Sequence, residues 1–396
     1  MATLYIHIGT PKTGTSSIQN FLFKNQQALK KYGVSFPQMD FGSMKGKYKF
    51  RRNGNFLVYK SELPGDERKK KEEERWIFRQ GFEVLKKEAE AANKIVISDE
   101  SVWYRQNSRD VFWQEVQKEV ESAGCQMKVV VYLRRQDLFA QALWNQSVKN
   151  VVRDSRNFEK YLKSKALESN NLDYYKTLSF IAGCIGKENL IVRVFEKDIF
   201  LRSKEGIYRD FLEAIGEDMH EEYVLPPENQ NERLDGNFIE IKRLINQVPE
   251  YKEMPVDFID WPIQWASSLR KPEKVSYFGY EDQLKYLQQF EESNRLVAEE
   301  FLGKKNGVLF GDAVERLPKW EINPDTMYQD IILLFTELAV AQEKQINFLN
   351  EHLKVSNDRL RELEKEVHNP FVHAAALIRR GFRKFVGNFQ RGCHSI

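Results

Sequence analysis

Eight residues make the strongest chemical statement in the chain: Gly9-Thr10-Pro11-Lys12-Thr13-Gly14-Thr15-Ser16. Gly9 and Gly14 permit a tight turn, and the backbone N–H groups of Thr13, Gly14, Thr15 and Ser16 open a helix. A helix start offers N–H groups without intrahelical acceptors and the positive end of the helix dipole, so it binds phosphate or sulfate. Lys12 adds a point charge at the same place. A Walker loop needs its lysine directly after the second glycine, with Ser or Thr next. Here Lys12 stands two residues before Gly14, so this is a phosphate loop of another kind.

Such a loop works only if a sheet holds it. Residues 4–8 read as a short apolar strand leading into it, and Ile18, Phe21, Leu22 and Leu29 mark the helix that follows. Further strands are predicted at 34–36, 95–98, 128–133 and 190–195. Helices are predicted at 68–92, 111–123, 136–150 and 207–215. Alternating strands and helices predict an α/β fold: a central parallel sheet flanked by helices in three layers. The ligand of such a sheet sits at the carboxyl ends of the strands, where the loops after Ile8, Ser98 and Leu133 meet.

Residues 228–303 read as mostly helical, broken at Pro249, Pro255, Pro262 and Pro272, and 310–320 as a boundary. Beyond Pro324 the pattern changes. Ile332, Phe335, Ala339, Gln342, Ile346, Leu349, Leu353, Ser356, Leu360, Leu363 and Val367 step by three and four. That narrow apolar seam with charged flanks predicts a coiled coil and a homo-oligomer through 332–367, against a single helix lying on the core. The expected division is a catalytic domain at 1–320, a coiled-coil helix at 325–368 and a basic amphipathic tail at 369–396.

The stretch Tyr5-Ile6-His7-Ile8-Gly9-Thr10-Pro11-Lys12-Thr13-Gly14-Thr15-Ser16-Ser17-Ile18-Gln19 resembles the 5′-phosphosulfate loop of sulfotransferases that use 3′-phosphoadenosine 5′-phosphosulfate (PAPS), especially bacterial carbohydrate-type enzymes. Val129 to Leu133, then Arg134-Arg135-Gln136-Asp137 with Gln146 downstream, is similar to that family's 3′-phosphate strand and helix. Glu188-Asn189-Leu190-Ile191-Val192-Arg193 and Arg209-Asp210-Phe211-Leu212 continue in the same order. The resemblance covers residues 3–312, and the first loop is its specific part.

The resemblance implies a set of roles. Lys12 contacts the phosphosulfate and neutralises the bridging oxygen as the product PAP leaves. Thr13, Gly14, Thr15 and Ser16 bind the 5′-phosphate through amides and hydroxyls, and Arg134 holds the 3′-phosphate bidentately. Family members commonly place a serine eight residues after that arginine. Ala142 stands there instead, and Gln141 and Asn145 are the candidates to replace it. Sulfuryl transfer is an in-line displacement by a carbohydrate hydroxyl of a surface polysaccharide, oligosaccharide or glycolipid. Positioning and electrostatics supply most of its rate, and its chemistry requires no metal.

A base must take the hydroxyl proton. Glu100 is the candidate, directly after the strand at 95–98 and matching the family's Ser-x-Glu block as Ser98-Asp99-Glu100. The alternative is that it caps the helix containing Val102 and Trp103. His7 is the second candidate, since other sulfotransferases use histidine, although strand alternation puts it on the Tyr5 face as a satisfied strand residue. Asp99 is expected to orient Lys12 or to face solvent. Trp103, Tyr104 and Arg105 are candidates to stack on and hydrogen-bond to a sugar. Lys45, Lys47, Lys49, Arg51 and Arg52 would attract an anionic glycan, or form a solvated loop. Two other readings are a P-loop-type nucleotide kinase or NTPase, opposed by the place of Lys12, and a non-catalytic coiled-coil membrane scaffold, opposed by the presence of Lys12, Arg134 and Glu100.

The charge balance fits these readings. With 61 Lys+Arg against 58 Asp+Glu the chain carries +3, which gives no reason to expect nucleic acid as the partner. Yet the last 28 residues hold Arg379, Arg380, Arg383, Lys384 and Arg391 and no acid, leaving the other 368 at −2. In that tail Ile378, Phe382, Phe385 and Phe389 share a face, so contact with an anionic membrane surface through 371–391 is expected, against docking on the catalytic domain or disorder. Three scattered cysteines form no disulfide framework and show no metal-ligand spacing. With no signal peptide and no transmembrane span in view, a cytoplasmic location is expected, peripheral on the inner membrane face if the tail binds.

Overall fold

The computed structural model describes residues 1–42, 52–107, 111–196, 200, 203–227, 234, 236–254, 257–271, 274–368 and 374–375. Lys45, Lys47, Lys49 and Arg51, and the tail face of Ile378, Phe382, Phe385 and Phe389, lie outside the described residues.

Five strands form one parallel sheet: β1 (Ala2–His7), β2 (Val34–Ser35), β3 (Lys94–Ser98), β4 (Cys125–Leu133) and β5 (Leu190–Val194), in the order β2-β3-β1-β4-β5. The helices of the first half are α1 (Thr15–Lys24), α2 (Gln26–Lys31), α3 (Glu67–Ala89), α4 (Val111–Ser122), α5 (Gln136–Lys149), α6 (Phe158–Leu162), α7 (Lys165–Glu168) and α8 (Tyr174–Ile185). They are followed by α9 (Gly206–Ala214), α10 (Asn237–Ile245), α11 (Asp257–Ser268), α12 (Tyr280–Gln288), α13 (Glu291–Glu300) and α14 (Pro324–His368).

The central strands are apolar on both faces, as a parallel sheet covered by helices requires. On one face Tyr5, Val96, Val130 and Tyr132 pack with Ile18, Phe21 and Leu22 of α1 and with Phe211 and Leu212 of α9. Alternation turns Leu4, Ile6, Val129 and Val131 to the other face, all of them buried. Helices α4 and α8 pack against β4 and β5. The predicted α/β class, a central parallel sheet flanked by helices, is the fold observed. Strand β4 begins at Cys125 rather than Lys128, because it pairs with β1 from Ala2 onward. The polar Gln126 hid that extension from an apolar count.

The strand order places the crevice. From β1 the chain turns toward β2 and β3 on one side, and from β4 it turns toward β5 on the other. The loops after β1 and β4 therefore diverge over two adjacent strands, the topological switch point where α/β sheets hold ligands.

The chain divides into two compact units, Met1–Val256 with Lys271–Ile322, and Asp257–Arg270 with Asn323–Ile396. The first holds the sheet. The second differs from the predicted partition by including α11, which packs on α14. Ile263, Ala266, Met327 and Leu334 are buried there, and Arg270 Nε donates to Asp330 Oδ1 at 2.8 Å. Helix α14 starts cleanly: Pro324 occupies its first position, and Asn323 Oδ1 accepts from the Asp325 amide at 3.1 Å. No helix among the described residues is long and apolar enough to cross a membrane.

Candidate functional site

The loop after β1 is an extension of the sheet. Ile8 N donates to Val130 O at 3.0 Å, Thr10 N to Tyr132 O at 2.9 Å, and Tyr132 N to Gly9 O at 2.6 Å. These bonds hold the chain down until it turns upward at Lys12, which has φ 65. Gly14 then caps α1 with φ 78, and a side chain there would put its Cβ 2.3 Å from Ile207 Cδ1. Glycine is thus needed twice over, for the left-handed backbone and for the close approach of α9. The amides of Thr15 and Ser16 lie in the first turn of α1 and have no intrahelical acceptor. Ser16 and Lys12 are exposed. The hydroxyls of Thr13 and Thr15 do not face outward as expected. Both side chains are buried, and they donate to Thr10 O at 2.5 and 3.4 Å.

The loop after β3 lies directly over this one. A Cβ on Gly9 would sit 3.2 Å from Glu100 Cβ, so the two backbones touch. Burial raises the Glu100 carboxyl above the usual carboxylate range; Arg52 opposes this, Asp99 adds to it, and Lys12 and a Thr15 hydrogen bond oppose it. The Lys12 ammonium is pushed below its usual range, first by the surrounding protein, with Glu100 opposing and Arg134 adding. Each of Glu100, Lys12 and Arg134 therefore lies in the field of another.

Asp99 neither orients Lys12 nor faces solvent, as had been expected. It is fully buried and accepts both arms of a guanidinium fork, Arg52 Nε at 3.0 Å and Nη2 at 2.7 Å. Arg52 Nη2 also donates to Ser101 Oγ at 2.7 Å. Arg52, read as part of a glycan-attracting stretch, is instead the counterion of this turn. The neighbouring Asn53 anchors it: its Nδ2 donates to Pro37 O and Val96 O, and its Oδ1 accepts from Ser98 N at 2.9 Å. The fork joins residues 47 positions apart, and no local pattern in the sequence announces it.

Arg134 closes the crevice from the β4 side. Its Nη1 donates to Lys12 O at 2.8 Å, its guanidinium lies 5.7 Å from the Phe195 ring centre, and Tyr174 OH donates to its carbonyl at 2.6 Å. The next residue, Arg135, is a structural tie: its guanidinium pairs with Asp137 at 2.8 and 3.0 Å and donates to Asp312 O at 2.7 Å.

Three candidates take other positions than expected, and a fourth, His7, lies on the Tyr5 face where strand alternation put it. Gln141 is buried; its Oε1 accepts from the Tyr277 amide at 2.9 Å. Asn145 is buried as well and donates to Leu234 O at 2.6 Å. Both tether α5 to distant chain, so neither replaces the missing serine at Ala142, which lies on the partly exposed face of the helix. Trp103 is 0% exposed, with Nε1 donating to Asn170 O at 3.0 Å, so its indole is core and offers no face to a sugar. His7 is fully buried, with its ring edge-on to Tyr132 and Phe211 and its Nδ1 2.9 Å from Ser98 Oγ. Burial lowers its pKa to about 3, so the ring is neutral. Tyr104 and Arg105 stay partly exposed; burial and then the Glu100 charge raise the Tyr104 phenol, and Arg105 Nη2 donates to Val58 O at 3.2 Å.

Fold and site together define a three-layer α/β protein with a glycine-flanked loop and a helix start at its switch point, faced by one carboxyl and one guanidinium. No family model matches the chain. It is similar to an uncharacterized protein of Archaeoglobus fulgidus, 30% identical over 182 residues, which are 45% of this chain and 47% of that protein. The chain thus spans about half the length of the relative it matches. Among solved structures it is similar to a sulfotransferase from Alicyclobacillus acidocaldarius, with 14% identity and a TM-score of 0.36, covering 64% of this chain and 99% of that one. That likeness is too loose to carry an argument.

Proposed function

We propose that the chain is a PAPS-dependent sulfotransferase acting on a carbohydrate hydroxyl. The observation that supports this best is the meeting of Lys12, Arg134 and Glu100 around the start of α1, at the crevice between β1 and β4. The donor set suits a nucleotide with phosphates at both ends: first-turn amides of Thr15 and Ser16, one ammonium and one guanidinium. PAPS, when bound, would supply an activated sulfuryl group on a bridging oxygen.

The chain's own groups would do the rest. The α1 amides and Ser16 hold the 5′ end, and Arg134 the 3′ end. Glu100 takes the proton of the attacking hydroxyl as the new O–S bond forms, and its raised pKa suits a base. Lys12 faces the charge left on the phosphate oxygen when the old S–O bond breaks. Glu100 is preferred to His7 because His7 is sealed in the aromatic core. Tyr104 and Arg105, following Glu100, are the groups left to meet the sugar. Peripheral membrane contact through 371–391 would suit a lipid-linked or surface-bound acceptor.

A thermal-shift comparison tests the reading. PAP should stabilise the wild-type protein where Mg-ATP does not. Lys12→Ala and Arg134→Ala should each weaken PAP binding by about 10- to 100-fold, the worth of one charge-assisted hydrogen bond. Stabilisation by Mg-ATP in preference to PAP would instead favour a kinase or NTPase.

A further inference from the structure

The second unit contains a helix with two apolar faces, and among the described residues only one of them is covered. Near its start, Met327, Asp330 and Leu334 of α14 are buried on the face that meets α11. The seam on another face is exposed at every position from Ile332 to Leu363. Leu349 and Leu353, at its centre, are 56% and 59% exposed. From 342 to 365 every residue is exposed on all sides of the helix. That stretch includes Asn347, Asn350, Ser356, Asn357 and Asp358, weak helix formers, and helices draw most of their stability from packing. A helix of 45 residues, about 68 Å long at 1.5 Å per residue, therefore needs something along this seam.

We infer that the seam is filled by the same helix of a second copy of this chain, parallel and in register. The spacing sets the frame. Ile332, Ala339, Ile346, Leu353 and Leu360 take the a positions, and Phe335, Gln342, Leu349, Ser356 and Leu363 the d positions. The flanking e positions, Thr336, Glu343, Asn350, Asn357 and Glu364, are all polar; the g positions begin with Leu338 and are polar from Gln345 through His352 to Arg359. Isoleucine at a (Ile332 and Ile346) with leucine at d (Leu349 and Leu363) is the combination that favours two strands over three.

The two polar d residues decide direction. In a parallel, in-register pair Gln342 meets Gln342 of the partner subunit and Ser356 meets Ser356 of the partner subunit, so each polar group finds a polar one. In the fully overlapped antiparallel pair Gln342 would lie against Leu353 and Ser356 against Ala339, burying an amide with no partner. Charge agrees: Arg359 at g faces Glu364 of the partner subunit at e, once in each direction across the pair.

Sedimentation equilibrium of the full chain at micromolar concentration should give twice the chain mass, and a monomer, trimer or tetramer overturns the proposal. Leu349→Glu with Leu353→Glu should return the mass to that of one chain and lower the far-UV helix signal; an unchanged dimer places the contact elsewhere and overturns it. Ser356→Cys combined with Cys393→Ser should form a disulfide-linked dimer on mild oxidation. A dimer that resists this link while retaining its mass overturns the parallel register. None of these outcomes depends on what the crevice binds.

Discussion

Asp99 and Glu100 are neighbours in the chain, yet one meets a guanidinium fork and the other an ammonium across a crevice. Asp99 is fully buried, and its charge is matched inside the protein by Arg52. Glu100 is partly exposed, and burial outweighs the cations around it, so its carboxyl is held above its usual range. A charge whose partners are complete within the fold is structure. A charge left in a cleft with its cost uncompensated is a candidate for chemistry. The distinction rests on what surrounds each group, since their residue types are nearly the same.

The largest effect should come from the open side of this pair. Glu100→Gln keeps the shape and removes the base, so turnover with a carbohydrate acceptor should fall by about 100- to 10,000-fold while PAP binding persists. The base acts deprotonated and its pKa is raised, so the ascending limb of the wild-type rate–pH profile should lie above the ordinary carboxylate range. Wild-type turnover in the Gln variant would collapse the contrast between the two carboxylates.

The closed side should answer in stability. Arg52→Ala leaves Asp99 buried without its fork, a loss of about 3 kcal/mol in urea denaturation. That is the low end for a buried pair, because the Arg52 side chain is 32% exposed. Arg52→Ala with Asp99→Asn should recover most of the loss, which separates the unpaired charge from lost packing. Since Arg52 is also the first cation restraining Glu100, the single variant should move the rate–pH limb further upward. A variant as stable as wild type would mean that Asp99 is not held by its fork.

How much of this could be read from the residues follows the range of each interaction. Helix α14 repeats its apolar positions every three or four residues, so its existence and seam are local facts. The loop at 9–16 is equally local: two glycines, one lysine and a helix start. Trp103 misled because it directly follows the candidate base, while its indole N–H is satisfied 67 residues away, at Asn170 O. Gln141 and Asn145 misled in the same way, meeting partners 136 and 89 residues distant. The fork of Arg52 and the anchor of Asn53 likewise close over long separations. Helix spacing could place Gln141 and Asn145 near Ala142, but the far chain that turns them into tethers is visible only in the fold.

The smallest effect concerns a third titratable group, at the end of β1, which is closed in the manner of Asp99 but without a charge to match. His7 is neutral in the folded protein, with its pKa lowered from 6.5 to about 3 by burial alone. The unfolded chain takes up a proton near 6.5 and the folded one does not, so stability is fully present above 6.5 and declines as pH falls toward 3. The slope approaches about 1.4 kcal/mol per unit, which amounts to about 2 kcal/mol between pH 7 and pH 5. His7→Gln can still bond to Ser98 and cannot titrate, so the difference between wild-type and variant denaturation curves should shrink by that amount over the same interval. If the two proteins lost stability in parallel, His7 would have to accept a proton in place. The ring between Tyr132 and Phe211 would then be open to solvent, and the aromatic seal that ranks it below Glu100 as a base would be gone.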